Sequence, residues 1–271
     1  DRAKTALRQS VAYRVFTDLS RGWRITMPNL EETGLLHVTY AFVDEVAADT
    51  DRWGTETWTH MPSSLTHAKD SLRTQLLTVL LDEMRRNLSV RTSFLTEDGH
   101  ERIKSRSEAH LINPWALTDE SPARASITYP RSKKKGERTG SGVYLSGLSS
   151  YGRWLRHRSG LTNVNGSKLS VQDAEDAIRA LLEVMKAEGL VEKVDEPKAD
   201  VPGFQINEAA LQWGPGDGTR RAVDILRVTT EDQSGRVNPY FRDFYRTLAT
   251  SLGGLSAAEH TAQVPIPVAI R

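Results

Sequence analysis

The side chains best placed to do chemistry in this sequence are cations. Residues 131–158 carry eight Lys/Arg (Arg131, Lys133, Lys134, Lys135, Arg138, Arg153, Arg156 and Arg158) against one acid, Glu137. Residues 1–24 carry six Lys/Arg against two acids. The whole chain has a formal net charge of only +1, so the positive charge is local. Local patches, rather than the sum, attract a polyanion. Cations at this density suit phosphate contacts, which bind without reading sequence and weaken with salt. A solvated surface is the competing reading of any one patch. Exposed tryptophans could stack bases, at about 1–3 kcal/mol per base. Trp23, Trp115, Trp154 and Trp213 suit core or loop anchoring better.

Catalytic sites find little support. There is no cysteine, which removes disulfides, thiolate nucleophiles and Cys-ligated zinc. The histidines (His37, His60, His67, His100, His110, His157, His260) form no His-Glu-x-x-His pattern. No Gly-x-Ser-x-Gly elbow occurs, and no Gly-x-x-x-x-Gly-Lys-Ser/Thr loop to cradle nucleotide phosphates. Ser107-Glu108-Ala109-His110 imitates an Asp-Glu-Ala-His box, but serine stands where a magnesium-binding aspartate is needed. It also falls inside an expected helix, so we read it as coincidence. No apolar run approaches the roughly 20 residues that span a bilayer, and no secretory segment opens the chain. A cytoplasmic location without membrane contact is expected.

Apolar periodicity supplies the elements that would position these groups. A helix is expected over 3–20, with Leu7, Val11, Val15 and Leu19 as its stripe, and a strand within 34–42. Residues 44–65 read as an acidic loop anchored by Trp53 and Trp58. A helix over 70–89 has Asp70 as its N-cap and Leu72, Leu76, Leu77, Leu80, Met84 and Leu88 as its face, with Arg85 and Arg86 at its cation-favouring end. Another helix covers 98–111, stopped by Pro114. Residues 132–142 read as a mobile loop, and 146–158 as a helix burying Leu148, Tyr151 and Leu155. After a turn at 163–167, a long amphipathic helix fills 170–188, capped by Ser170 with Asp173 three residues on. Strands follow at 190–194 and 203–207, the latter carrying Phe204 and Ile206 on one face. A last helix over 238–252 is capped by Asn238, opens on Pro239 and buries Phe241, Phe244, Tyr245, Leu248 and Leu252.

These elements give a mainly α fold with a small β component, an α+β class. A long helix, a Gly-Leu-Val step, a strand, a polar turn and a returning strand match the tail of a winged-helix domain, whose hairpin wing can reach a phosphate backbone. A generic helix-plus-hairpin packing unit is the bland alternative. Residues 173–188 hold five acids against Arg179 and Lys186, a net −3 that suits a protein contact better than a DNA groove. Lys193 and Lys198 on the wing, with the helix over 146–158, are the better phosphate candidates.

Three segments carry a resemblance. The first is Arg21-Gly22-Trp23-Arg24-Ile25-Thr26-Met27-Pro28-Asn29-Leu30-Glu31, followed by Thr33-Gly34-Leu35-Leu36. The second is Phe204-Gln205-Ile206-Asn207, then Ala210-Leu211-Gln212-Trp213 and Gly216-Asp217-Gly218. The third is Asn238-Pro239-Tyr240-Phe241-Arg242-Asp243-Phe244-Tyr245, then Glu259-His260-Thr261-Ala262-Gln263-Val264. In this order they resemble landmarks of large bacterial superfamily 2 DEAD/DEAH-box DNA helicases, between the two RecA-like domains.

The resemblance implies residues 1–69 as a linker after the first RecA-like domain, 70–213 as a helical and winged-helix domain with its wing near 190–207, and 214–271 as the approach to the second RecA-like domain. It implies partners in single-stranded DNA and in the RecA-like domains of the same parent, and places His260 and Thr261 at the nucleic-acid backbone. ATP and magnesium belong to the parent, an ATP hydrolase, and no cofactor or catalytic residue to this stretch. The uncapped start and the unfinished end fit a piece of a longer protein. A stand-alone winged-helix regulator and a protein-interaction scaffold are the alternatives.

Overall fold

The structure, a computed structural model, describes residues 1–21, 27–54, 60–118, 122–137, 142–195, 200–227 and 235–251. Helix α1 (Arg2–Ser20) buries Ala6, Ser10, Tyr13, Phe16 and Leu19. The expected stripe is therefore rotated, for Leu7 and Val11 stay exposed. Aromatic rings decide the face, because each buries more area than an aliphatic chain. Tyr13 meets the His100 ring edge-on, and Phe16 packs against Phe94 and Trp213.

Strand β1 (Leu36–Tyr40) follows, then α2 (Val43–Ala48), a 3₁₀ turn (Thr50–Trp53) and α3 (Ser63–Thr66). Here an acidic loop was expected, and the structure corrects it. Elements of one or two turns are too short to print a 3.6-residue period. Trp53 is the anchor: fully buried, it donates its indole N–H to the Val46 carbonyl at 2.9 Å and lies beneath the Arg73 guanidinium. Trp58 lies outside the described residues.

Helix α4 (Asp70–Arg86) buries Leu76, Leu77, Leu80 and Met84 as expected. Its cap is Lys69 rather than Asp70, because the extended residue is Lys69 and Asp70 is already helical. Strand β2 (Val90–Arg91) and α5 (Glu97–His110) come next, α5 capped by the Thr96 hydroxyl accepting the Gly99 N–H at 3.1 Å. Strands β3 (Ile127–Tyr129) and β4 (Gly142–Tyr144) lead into α6 (Ser150–His157), then α7 (Val171–Ala187). Tyr151 and Leu155 of α6 are buried, but Leu148 precedes the helix and is exposed. Ser170 and Asp173 form the full capping box of α7.

The chain continues through β5 (Val191–Val194), β6 (Gly203–Asn207), β7 (Leu211–Pro215) and α8 (Pro239–Ser251). Strand β6 is the centre of the larger sheet. On one edge it pairs antiparallel with β5, from Val191↔Ile206 to Val194↔Gly203. On the other it meets β3 antiparallel at Thr128↔Phe204 and β2 parallel at Val90↔Ile206. Strand β4 lies parallel beyond β3. Helices α4, α6 and α7 contribute Leu76, Leu80, Tyr151, Trp154, Ile178 and Leu182 to one core with Phe204 and Ile206. Strands β1 and β7 form a separate antiparallel ribbon. The class is mixed α+β, with helix predominant.

Helix α8 departs from expectation in its packing. None of its described side chains is buried; Phe241, Tyr245 and Leu248 are half-covered, and Phe244 is exposed. Among the described residues no helix is long and apolar enough to cross a membrane.

Candidate nucleic-acid interface

The basic loop expected to be mobile is pinned over its described part, 132–137. Arg131, just after β3, grips Glu137 through two bonds of 2.9 and 2.6 Å. The Glu137 carboxylate also accepts the Lys134 backbone N–H at 2.9 Å. The Arg131 bonds, then that N–H, hold the Glu137 carboxyl down at about 2. The Arg131 guanidinium lies over the Tyr144 and Tyr129 rings, at 4.8 and 5.6 Å. Its Nε is 3.0 Å from Asp200, and Lys134 Nζ is 2.9 Å from the other oxygen of that carboxylate. Asp200 precedes β6, so the loop is fastened just ahead of that strand.

The fold thus brings Lys134 to Asp200, just ahead of β6, with Lys133 and Lys135 exposed on either side of it in the chain. Lys193 is exposed on β5, 3.0 Å from Asp195. The lysine count overstates the free charge, since Lys134 and Lys193 already face carboxylates. Exposed pairs of this kind are weak, so a phosphate can compete for the lysines.

On α6, Arg156 donates to the Gly147 carbonyl at 3.1 Å, and just after it Arg158 donates to the Leu226 carbonyl at 2.9 Å. Both guanidiniums therefore also serve as struts, while Arg153 is exposed. Arg138, Lys198, His260 and Thr261 lie outside the described residues. The outward face of α7 is acidic, as its sequence indicates. A cleft of about 930 Å³ runs along it, lined by His60, Met61, Asp173, Asp176, Arg179 and Glu183 among others. A phosphate backbone would be repelled there.

A second arrangement escaped the sequence reading. Described parts of the resembling segments, far apart in the chain, meet in one hub. The Gly216 and Gly218 N–H groups donate to the carbonyls of Leu35 and Gly34, both at 2.9 Å, and Ala222 N–H to the Glu31 carbonyl at 3.2 Å. The Tyr245 hydroxyl of α8 donates to the Pro28 carbonyl at 2.9 Å. Arg242 and Arg246 donate to the carbonyls of Gly218 and Asp217, at 3.2 and 2.6 Å. Gly34 has φ +68°, and a Cβ there would lie 2.5 Å from the Arg220 carbonyl oxygen. That position demands glycine twice over, for conformation and for space.

Buried charge rivets the hub to α4. Arg85 donates to Glu31 at 2.8 Å, to Asp82 at 3.2 Å and to the Tyr40 hydroxyl at 3.1 Å. Tyr40 in turn donates to Asp82 at 2.8 Å. Burial works against the Arg85 cation, but Tyr40, Glu31 and Asp82 more than offset it, and its pKa is raised. Burial likewise raises the Glu31 carboxyl, with Arg85 opposing in part. In the sequence Arg85 is a cation at a helix end; its partner Glu31 lies 54 positions earlier, beyond any local signal.

Among the described residues no group of three or more His, Asp or Glu side chains could hold a metal ion. Comparison with protein-family models, with curated proteins and with solved structures finds no match for the chain.

Proposed function

We propose that this chain is the bracing segment of a superfamily 2 DNA helicase. It carries a winged helix that touches the backbone of single-stranded DNA and a hub that ties the segments leading to the two motor domains. The observation that supports bracing is the meeting, in the hub, of described parts of the three resembling segments. Residues 28–31 are held to α8 by Tyr245 and to the α4 core by Arg85. The order α4, β3, α6, α7, then the β5–β6 hairpin supports the winged-helix reading.

Phosphate contact falls to Lys133, Lys134 and Lys135, in the loop fastened to Asp200, with Lys193 and Arg153. The acidic α7 disfavours the stand-alone regulator, which needs a basic helix for the major groove. Lys198, His260 and Thr261 remain candidates by position in the sequence. ATP and magnesium would act in the parent's motor domains, and the cytoplasm is the expected compartment.

The test is an anisotropy titration of a labelled single-stranded oligonucleotide at several salt concentrations. The triple substitution of Lys133, Lys134 and Lys135 by Ala should weaken binding and flatten the salt dependence. An unchanged affinity and slope would remove the loop from the interface. Absence of binding to any DNA at low salt would leave the protein-scaffold reading instead.

A further inference from the structure

Among the described residues, nothing covers the aromatic outward face of α8. Tyr240 is 69% exposed and Phe244 41% exposed, one turn apart on the same face. Their rings are near parallel, 6° between planes, with centroids 6.4 Å apart. Phe241 stands edge-on to Tyr240 at 5.1 Å, fixing that ring from the side. The opposite face of α8 holds the helix in place, through Tyr245 on Pro28 and through Arg242 and Arg246 on the 217–218 turn. The exposed rings are thus displayed on an anchored helix.

Positive charge gathers at the N-terminal end of this helix. Arg220 and Arg236 are bridged across an antiparallel backbone pair, and Arg221 Nε donates to the Arg236 carbonyl at 3.1 Å. Arg220 and Arg236 are both exposed, and Arg236 lies four positions before Tyr240. Among the described residues, Arg220, Arg221, Arg236, Arg242 and Arg246 gather near α8 with Asp217 and Asp243, and Asp18 and Glu32 act on Tyr245. Arg242 is matched by Asp243, while Arg220 and Arg236 make no salt bridge among the described residues.

We propose that this face is a second contact for a single-stranded nucleic acid. A base stacks on the Tyr240 and Phe244 rings, while Arg220 and Arg236 take the neighbouring phosphates. Ring faces accept any base, and arginines at one end of the platform suit a flanking backbone. A docked protein would use the apolarity of the face but leave the adjacent cations unanswered; charge complementarity favours the nucleic acid. The inference rests on the reading that the chain binds single strands, and it assigns a site separate from the lysine loop.

The experiment titrates the full chain with labelled oligothymidylate of about 15 nucleotides. A second probe of the same length has abasic sites in place of its bases. Replacing both Tyr240 and Phe244 by Ala should weaken oligothymidylate binding by roughly five- to a hundredfold, the worth of one stacked base, and leave the salt slope unchanged. Replacement of both by Leu should weaken it similarly. Wild-type protein should prefer oligothymidylate to the abasic probe, and both variants should lose that preference. Neither residue is buried, so unchanged thermal melting is expected and serves as the folding check.

Equal affinity of wild type and the Ala variant for oligothymidylate would overturn the site. Leu variants that bind like wild type would overturn it too, in favour of a merely apolar face. The lysine-loop variant reads out independently: it alters the salt slope but keeps the preference for bases. A failure of one proposal is therefore distinct from a failure of the other.

Discussion

Replacing Arg85 by Met removes the cation at the centre of the hub while roughly keeping its volume. The Arg85 side chain is 2% exposed and Glu31 5%, with 2.8 Å between them. The substitution strands the Glu31 carboxylate, which has no other salt bridge among the described residues. Breaking a buried pair from one side costs about 3–5 kcal/mol. Asp82 is less affected, since it keeps the Tyr40 hydroxyl and lies 3.5 Å from Arg86.

Urea unfolding followed by tryptophan fluorescence would measure the loss. The pH dependence carries a sign of its own. Burial already raises the Glu31 carboxyl in the folded protein, and loss of Arg85 raises it further. The folded state then binds a proton that the unfolded state has not yet taken up, so the deficit should shrink as the pH falls from 7 towards 5. Replacing Glu31 by Met as well should recover most of the loss, since an apolar pair can match a buried ionic one. A loss under about 1 kcal/mol at pH 7, where about 3–5 is expected, or a deficit that grows on acidification, would refute the reasoning.

Other outcomes follow from the same contacts. Gly34→Ala should destabilise by about 1–3 kcal/mol, because it imposes a left-handed backbone on alanine and drives Cβ into the Arg220 carbonyl; faster amide exchange at Gly216 and Gly218 would locate the damage. The Glu137 carboxyl should titrate near 2 by NMR, against an ordinary value of 4.5. Its pairing is fully present above about pH 4.5 and lost as the pH falls through 2; Arg131→Ala should return the midpoint towards the ordinary range. Substituting Lys133, Lys134 and Lys135 by Ala should reduce the salt slope for single strands by about 1–2, since each phosphate contact contributes about 0.7. The chain alone should not turn over ATP, measured by phosphate release, because its sequence has no phosphate-cradling loop.

The sequence made the long elements legible. The Ser170–Asp173 capping box, the apolar face of α4 and the Phe204/Ile206 strand all came from local spacing, and the structure has each of them. Local spacing misjudged faces where aromatic size outweighed periodicity, as in α1, where Tyr13 and Phe16 displace Leu7 and Val11. It also gave α8 a buried stripe, although an amphipathic helix reports only that a face is apolar. The basic loop was found by composition, but not its fastening. That fastening depends on Asp200, 69 positions beyond Arg131 and visible only once β3 and β6 pair. The Glu31–Arg85 rivet and the hub are hidden for the same reason: their partners meet through tertiary packing.

The most direct test of the central claim is a competition between single-stranded and duplex DNA for the full chain, from about 50 to 200 mM salt, the range over which phosphate-driven binding collapses. The account predicts that single strands win irrespective of their sequence, and that binding fades steeply with salt. Preferential, salt-resistant binding to one duplex sequence would contradict it.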